Sequence, residues 1–119
     1  MITRERRSTP RVRAYRPVRL HAPHNPRIVE TLTKDLSIGG LRCLSPMVLP
    51  VSSEVNVELM PSTGEEPISL AGKTVWFRLL PHTEQCDVGI SFKEISEQNN
   101  RRLSAYLDHI QKKSGKTLS

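Results

Sequence analysis

A chain of 119 residues has the size of one ordinary domain, long enough to bury a single core. A hydrophobic content of 36% beside 25% charged residues reads as soluble, and no apolar run approaches the roughly 20 residues that span a bilayer. The net charge of +6 is local: residues 1–19 hold seven arginines, no lysine and one acid, Glu5, while residues 20–119 balance.

No apolar segment follows the charged N-terminus, so no secretory signal is expected. Cys43 and Cys86, with no CxxC spacing, read as buried or half-buried thiols in a reducing cytosol. The expected location is cytoplasmic.

The basic leader comes first in the chain. Arg6-Arg7-Ser8-Thr9-Pro10-Arg11 uses guanidinium alone, a planar fork that grips phosphate or a guanine edge and stacks on aromatic rings. Pro10 disfavours the α-region at Thr9, so the run is extended or turned. Fully extended, Arg7 and Arg11 stand roughly 13 Å apart. Taken alone, the segment reads equally well as a disordered basic leader.

From Tyr15 to Phe92 short apolar alternations are broken by turn residues, the pattern of an all-β body. Val18 and Leu20 mark a first strand, Ile28 to Leu36 a second, and Leu41 to Leu44 a third. Pro46 to Ser53 is a loop anchored by Met47, Val48 and Leu49. Val55, Val57 and Leu59 mark a fourth strand. Ile68 to Leu79 is a fifth, in which Gly72 predicts a bulge or a close backbone approach. Cys86 to Phe92 is the sixth. Six short strands at this spacing predict a small antiparallel barrel or sandwich. Past Phe92 the period changes. Ser96 is an N-cap, and Leu103, Tyr106, Leu107 and Ile110 form the stripe of an amphipathic helix, which packs on the barrel or serves a partner. A frayed tail is expected from Ser114.

A search for chemistry returns little. His21, His24, His82 and His109 fall in turns or at helix ends without metal-ligand spacing, so no metal site is expected. No HExxH, GxSxG, P-loop or dinucleotide fingerprint occurs, and no enzymatic role is expected.

Asp35-Leu36-Ser37-Ile38-Gly39-Gly40 is the informative constellation. As a bare turn it needs no ligand: Asp and Ser bond local backbone, and the glycines supply positive φ. Beside the arginine run it gains a second reading. Consecutive N–H groups in such a turn form an anion nest. Asp35 suits the donor edge of guanine, and an arginine fork suits the O6 and N7 acceptors.

These two stretches resemble the PilZ domain family, whose motifs are Arg-x-x-x-Arg and, downstream, Asp/Asn-x-Ser-x-x-Gly. Arg7-Ser8-Thr9-Pro10-Arg11 is similar to the first and Asp35 to Gly40 to the second. Gly72-Lys73-Thr74-Val75-Trp76 and Val88-Gly89-Ile90-Ser91-Phe92 resemble later strands of the family, and the likeness covers about residues 4–110. It implies a mainly β fold: a six-stranded antiparallel barrel at 15–113 with a C-terminal helix, a flexible arginine-rich clamp at 1–14 and a disordered tail at 114–119. It also implies a receptor for the bacterial messenger cyclic di-GMP. Arg7 and Arg11 would clamp phosphates and guanine, Asp35 and Ser37 would contact base or phosphate, and Gly40 would keep the turn open. Gly39 is a further candidate. Arg6 completes a double arginine that implies an intercalated ligand dimer. Trp76 is either an apolar wall beside the base or a core residue. Ligand would order the leader and change the surface offered to an unidentified downstream protein. The competing readings are a nucleic-acid-binding barrel, which 4% aromatic residues support poorly, and a PilZ interaction module that binds no nucleotide.

Overall fold

The structure, a computed structural model, describes residues 11–23, 27–61 and 64–118. Its strands are β1 (Val12–Arg13), β2 (Pro17–His21), β3 (Ile28–Ser37), β4 (Gly40–Ser45), β5 (Glu54–Leu59), β6 (Ile68–Leu79) and β7 (Cys86–Phe92), followed by helix α1 (Glu97–Leu118). All pairings are antiparallel. The order β3-β2-β5-β6-β7-β4 closes through a β3–β4 pairing into a six-stranded barrel, and β1 adds a short seventh strand on β3. The expected barrel and helix are therefore present. The extra strand, two residues long, is too short for alternation to register.

Alternation builds the core. In β2, Val18 and Leu20 point inward, and in β5 Val55, Val57 and Leu59 do, each at most 1% exposed. Fully burying one such side chain stabilises by about 2 kcal/mol. Leu36, Leu41, Ile68, Val88 and Ile90 fill the remaining volume. Cys43 and Cys86 are free and buried in the same core. Burial pushes the Cys43 thiol up to about 12, with Asp87 adding to the effect and Lys34 opposing it. Gly72 makes a close approach rather than a bulge: a Cβ there would stand 2.8 Å from Ile90 Cγ2 and 3.1 Å from the Ser91 carbonyl.

The register slips twice, between Thr33 and Asp35 in the β3–β4 ladder and between Thr74 and Trp76 in the β6–β7 ladder. Both slips follow an inward threonine, Thr33 and Thr74, each at most 1% exposed. Strict alternation would turn Asp35 and Trp76 inward as well. One extra residue at each bulge, Lys34 and Val75, sends them to the outer face instead.

Helix α1 starts where expected. Ser96 Oγ accepts from Asn99 N–H (3.1 Å), and the Ser96 carbonyl accepts from Asn100 N–H (2.8 Å). Leu103 and Tyr106 are buried, and Leu107 and Ile110 pack against the core, so the stripe faces the barrel. Arg102 ties the helix to the β5–β6 connection by donating to the Glu66 and Pro67 carbonyls. Two expectations are corrected. Val48, taken as a loop anchor, is exposed while Leu49 is buried, and Trp76, 39% exposed, is not a core residue. Both corrections concern residues on stretches where parity does not decide which way a side chain faces.

Candidate functional site

Thr33 fixes the chain entering the barrel. Its hydroxyl donates to the Ala14 carbonyl and accepts from Arg16 N–H (3.0 Å), and its own N–H reaches the Arg16 carbonyl (2.9 Å). Val12 and Arg13 then pair with Leu36 and Asp35. Arg11 is thereby delivered beside the second motif, with its Nη1 2.8 Å from Asp35 Oδ1. The two motif residues, 24 positions apart in sequence, form one ion pair. Arg6 and Arg7 lie outside the described residues.

Asp35 has a second arginine. Arg42 Nε donates to its Oδ2 at 3.0 Å from the facing strand. Sequence reasoning missed Arg42, although the hairpin carried the signal. Ser37 opposite Gly40 fixes a two-residue turn, and counting back from it through Leu36 and Leu41 sets Asp35 against Arg42, before the bulge is reached.

Ser37, 3% exposed, turns its hydroxyl into its own turn, accepting from Gly39 N–H (3.2 Å) and donating to the Gly40 carbonyl (3.3 Å). Neither Gly39 nor Gly40 has a left-handed φ, so the expected reason for these glycines is corrected. Gly40 is required by space: a Cβ would fall 2.1 Å from the Ile90 carbonyl oxygen on β7. At Gly39 a Cβ would meet nothing nearer than Ser37 Oγ at 3.9 Å.

The face continues across the sheet. In register, Arg13, Asp35, Arg42, Gly89 and Trp76 form one row over β1, β3, β4, β7 and β6. Trp76 lies flat on Gly89, where a Cβ would come within 2.3 Å of the indole nitrogen. Asp87, one step along β7, is buried beneath three cations: Lys34 Nζ at 2.7 Å, Arg78 Nη2 at 3.2 Å and Arg42 Nη1 at 3.9 Å. Burial works to raise its pKa, but Lys34, Arg42 and Arg78 outweigh it and hold the carboxyl below the usual aspartate range. Arg78–Asp87–Arg42–Asp35–Arg11 is thus a continuous chain of ion pairs. Four cationic side chains, Arg11, Lys34, Arg42 and Arg78, meet two carboxylates on a surface edged by an indole, with Arg13 in the same row. Such a surface suits a ligand that is anionic and carries planar rings.

Arg16 links this corner to the helix. Its Nε donates to Tyr106 Oη (2.9 Å) while the guanidinium stands 5.8 Å from the ring centroid. On the other side of the barrel, an open cavity of about 370 Å³ is lined by His21, Asn56, Glu58 and Ser69, away from both motifs. His21 ends β2 there and bonds Glu58 at 3.1 Å, so it belongs to a strand and not to the turn expected for it. No cluster of metal-ligating side chains occurs among the described residues, and no helix among them is long and apolar enough to cross a membrane.

The barrel is similar to several solved structures. YcgR of Escherichia coli in complex with c-di-GMP matches with a TM-score of 0.76 at 15% identity, over 95% of this chain and 49% of that one. The isolated PilZ domain of YcgR with c-di-GMP matches with a TM-score of 0.68 at 14% identity, over 93% of this chain and 98% of that one. The inhibitor of motility MotI/DgrA of Bacillus subtilis matches with a TM-score of 0.70 at 16% identity, over 87% of this chain and 50% of that one. This chain spans about half the length of full YcgR and MotI and nearly the whole of the isolated domain. No curated protein matches it by sequence. At these identities the likeness speaks to fold alone. The family model of the PilZ domain, however, matches the sequence itself over residues 5–109, which takes in both motifs, every strand and most of the helix, and the chain belongs to that family.

Proposed function

We propose that the chain is a receptor for cyclic di-GMP, with Arg7, Arg11, Asp35, Ser37 and Gly40 as its site and Arg6 extending the site to an intercalated ligand pair. The observation that carries this reading is the 2.8 Å Arg11–Asp35 ion pair, which joins the two motifs on a cationic sheet face. The c-di-GMP complexes of the YcgR neighbours give it further support.

The chemistry follows from the partners. Arg11 donates to a carboxylate that Arg42 also holds. A ligand phosphate or guanine edge exchanges one charged partner of Arg11 for another, so the guanidinium is not left unpaired. Asp35, still anchored by Arg42, then turns an oxygen to the guanine donor edge. Ser37 and Gly40 keep the turn tight enough for the base to approach. Arg6 and Arg7 close over the ligand from the leader. Ordering them costs about 1–2 kcal/mol per backbone residue, which several charged contacts offset. Arg16, two residues past the clamp segment, is bonded to Tyr106 of α1, so fixing the leader changes the helix-side surface offered to a downstream protein. The role is that of a signalling module with no reaction of its own, acting in the cytoplasm.

Isothermal calorimetry with cyclic di-GMP tests this. The expected result is saturable binding near two ligands per chain, reduced at least tenfold in Arg7→Ala. Binding of wild-type strength in Arg7→Ala overturns the site. No binding by the wild type, beside salt-sensitive binding of random oligonucleotides, overturns the ligand in favour of nucleic acid.

A further inference from the structure

Closing a barrel removes sheet edges, but strands that outrun their neighbours keep one. Among the described residues the start of β3, which carries Glu30 and Thr31, and the end of β6 are such stretches. β5 covers β6 only from Ile68 to Lys73. Ser52 and Ser53 cover one residue more, the former donating its N–H to the Thr74 carbonyl (2.7 Å) and the latter accepting from Thr74 N–H (2.9 Å). Past that point β6 is paired on one side, with β7, as far as Leu79 opposite Cys86.

The ladder phase says which backbone groups are left over. Leu80 N–H donates to the Gln85 carbonyl at 3.1 Å, so Arg78 and Leu80 turn their main-chain groups toward β7. Phe77 and Leu79 turn theirs the other way, where no described residue bonds them. Their side chains are 36% and 64% exposed, between the exposed Val75 and Trp76 and the β6–β7 turn. An edge of this kind is normally blunted by lysine, proline or a short span. Trp76-Phe77-Arg78-Leu79-Leu80 has neither lysine nor proline, and a single charge.

We propose that this edge pairs with the same edge of a second copy of the chain, β6 against β6, across a two-fold axis at Arg78. The stretch matches itself when reversed, because two apolar residues stand on each side of the one arginine. Centred on Arg78, antiparallel pairing sets Phe77 against Leu79 of the partner subunit, and Leu79 against Phe77 of the partner subunit. Every outward N–H of these residues then meets an outward carbonyl, and apolar side chains meet on that face. Trp76 comes to lie opposite Leu80 of the partner subunit. The two Arg78 side chains approach each other at the axis, each with its own Asp87 at 3.2 Å to balance it. Moving the axis to Phe77 would draw the bulge residue Val75 into the ladder and lose this match. The interface is isologous and closes on itself, giving a dimer and not a fibre.

Sedimentation of the full chain over a concentration series tests the proposal, with circular dichroism to verify folding of each variant. The wild type should pass from monomer to dimer. Leu79→Lys, at an exposed position, sets a charge against an aromatic ring in both symmetric pairs and should weaken association about tenfold. Arg78→Cys brings two thiols into a non-hydrogen-bonded pair across the axis, where the usual Cα spacing of about 4.5 Å admits a disulfide. Mild oxidation should link Arg78→Cys faster than Val51→Cys, which is exposed but off the ladder. A chain that stays monomeric at millimolar concentration overturns the proposal. So does a dimer indifferent to Leu79→Lys, or an Arg78→Cys variant linked no faster than the control. None of these readouts depends on nucleotide binding.

Discussion

At the scale of single residues, Asp35 and Asp87 are carboxylates placed under arginines and lysine, and they differ in burial. Asp87 has a side chain 1% exposed and three cations around it, so removing its charge takes the carboxylate from Lys34 and Arg78 and leaves Arg42 with Asp35 alone. Asp87→Asn should cost roughly 3 kcal/mol at neutral pH in a urea melt. The pH dependence has a fixed sign. The folded pKa lies below the ordinary 3.8, so the stabilisation is present above that value and is lost as pH falls through the lower folded value. The acid limb of the stability curve should be shallower in the variant. Gly40 makes a different demand. With the Ile90 carbonyl 2.1 Å from where a Cβ would sit, Gly40→Ala must push β4 away from β7. It should destabilise by more than about 2 kcal/mol, whereas Gly39→Ala should fall within a few tenths of wild type by the same melt.

At the scale of elements, most of the fold was legible because the helix and the barrel strands, outside the two bulges, carry clear apolar patterns. Val18 and Leu20, Val55 to Leu59, and the stripe Leu103–Tyr106–Leu107–Ile110 each point where alternation or the helical repeat sends them. The candidate site was legible as a pair of motifs and not as a surface. Its outward direction depends on two bulges, and a bulge reverses parity without changing composition, so nothing in residues 31–36 or 74–77 announces it. That is why Trp76 read as either core or wall. β1 escaped notice because its two residues pair through backbone groups that carry no side-chain signal, and Arg42 because its role depends on the hairpin register. The Arg16–Tyr106 contact joins elements 90 positions apart and likewise leaves no local trace. Tyr106→Phe removes its hydrogen bond and keeps the ring under the guanidinium. It should cost about 1 kcal/mol in a thermal or urea melt and leave the helix content unchanged by circular dichroism.

At the scale of the whole molecule, the sequence carries its entire positive excess in the first 19 residues, and the pairing of β1 with β3 sets Arg11 and Arg13 of that stretch beside Asp35. The interior is conventional and the face is not: a chain of ion pairs runs from Arg78 to Arg11 across four strands, with an indole laid on a glycine beside it. The proposed receptor activity uses the Arg11 end of that chain, and the proposed dimer edge lies at the Arg78 end. The central claim is that Arg11 and Asp35 act as one clamp on the ligand. A double-mutant cycle on cyclic di-GMP affinity, using Arg11→Ala, Asp35→Ala and the double variant in calorimetry, tests it most directly. Each single substitution is expected to lose at least tenfold in affinity, and the double variant little more than the worse single. Losses that simply multiply, or single variants that bind like wild type, would contradict the account.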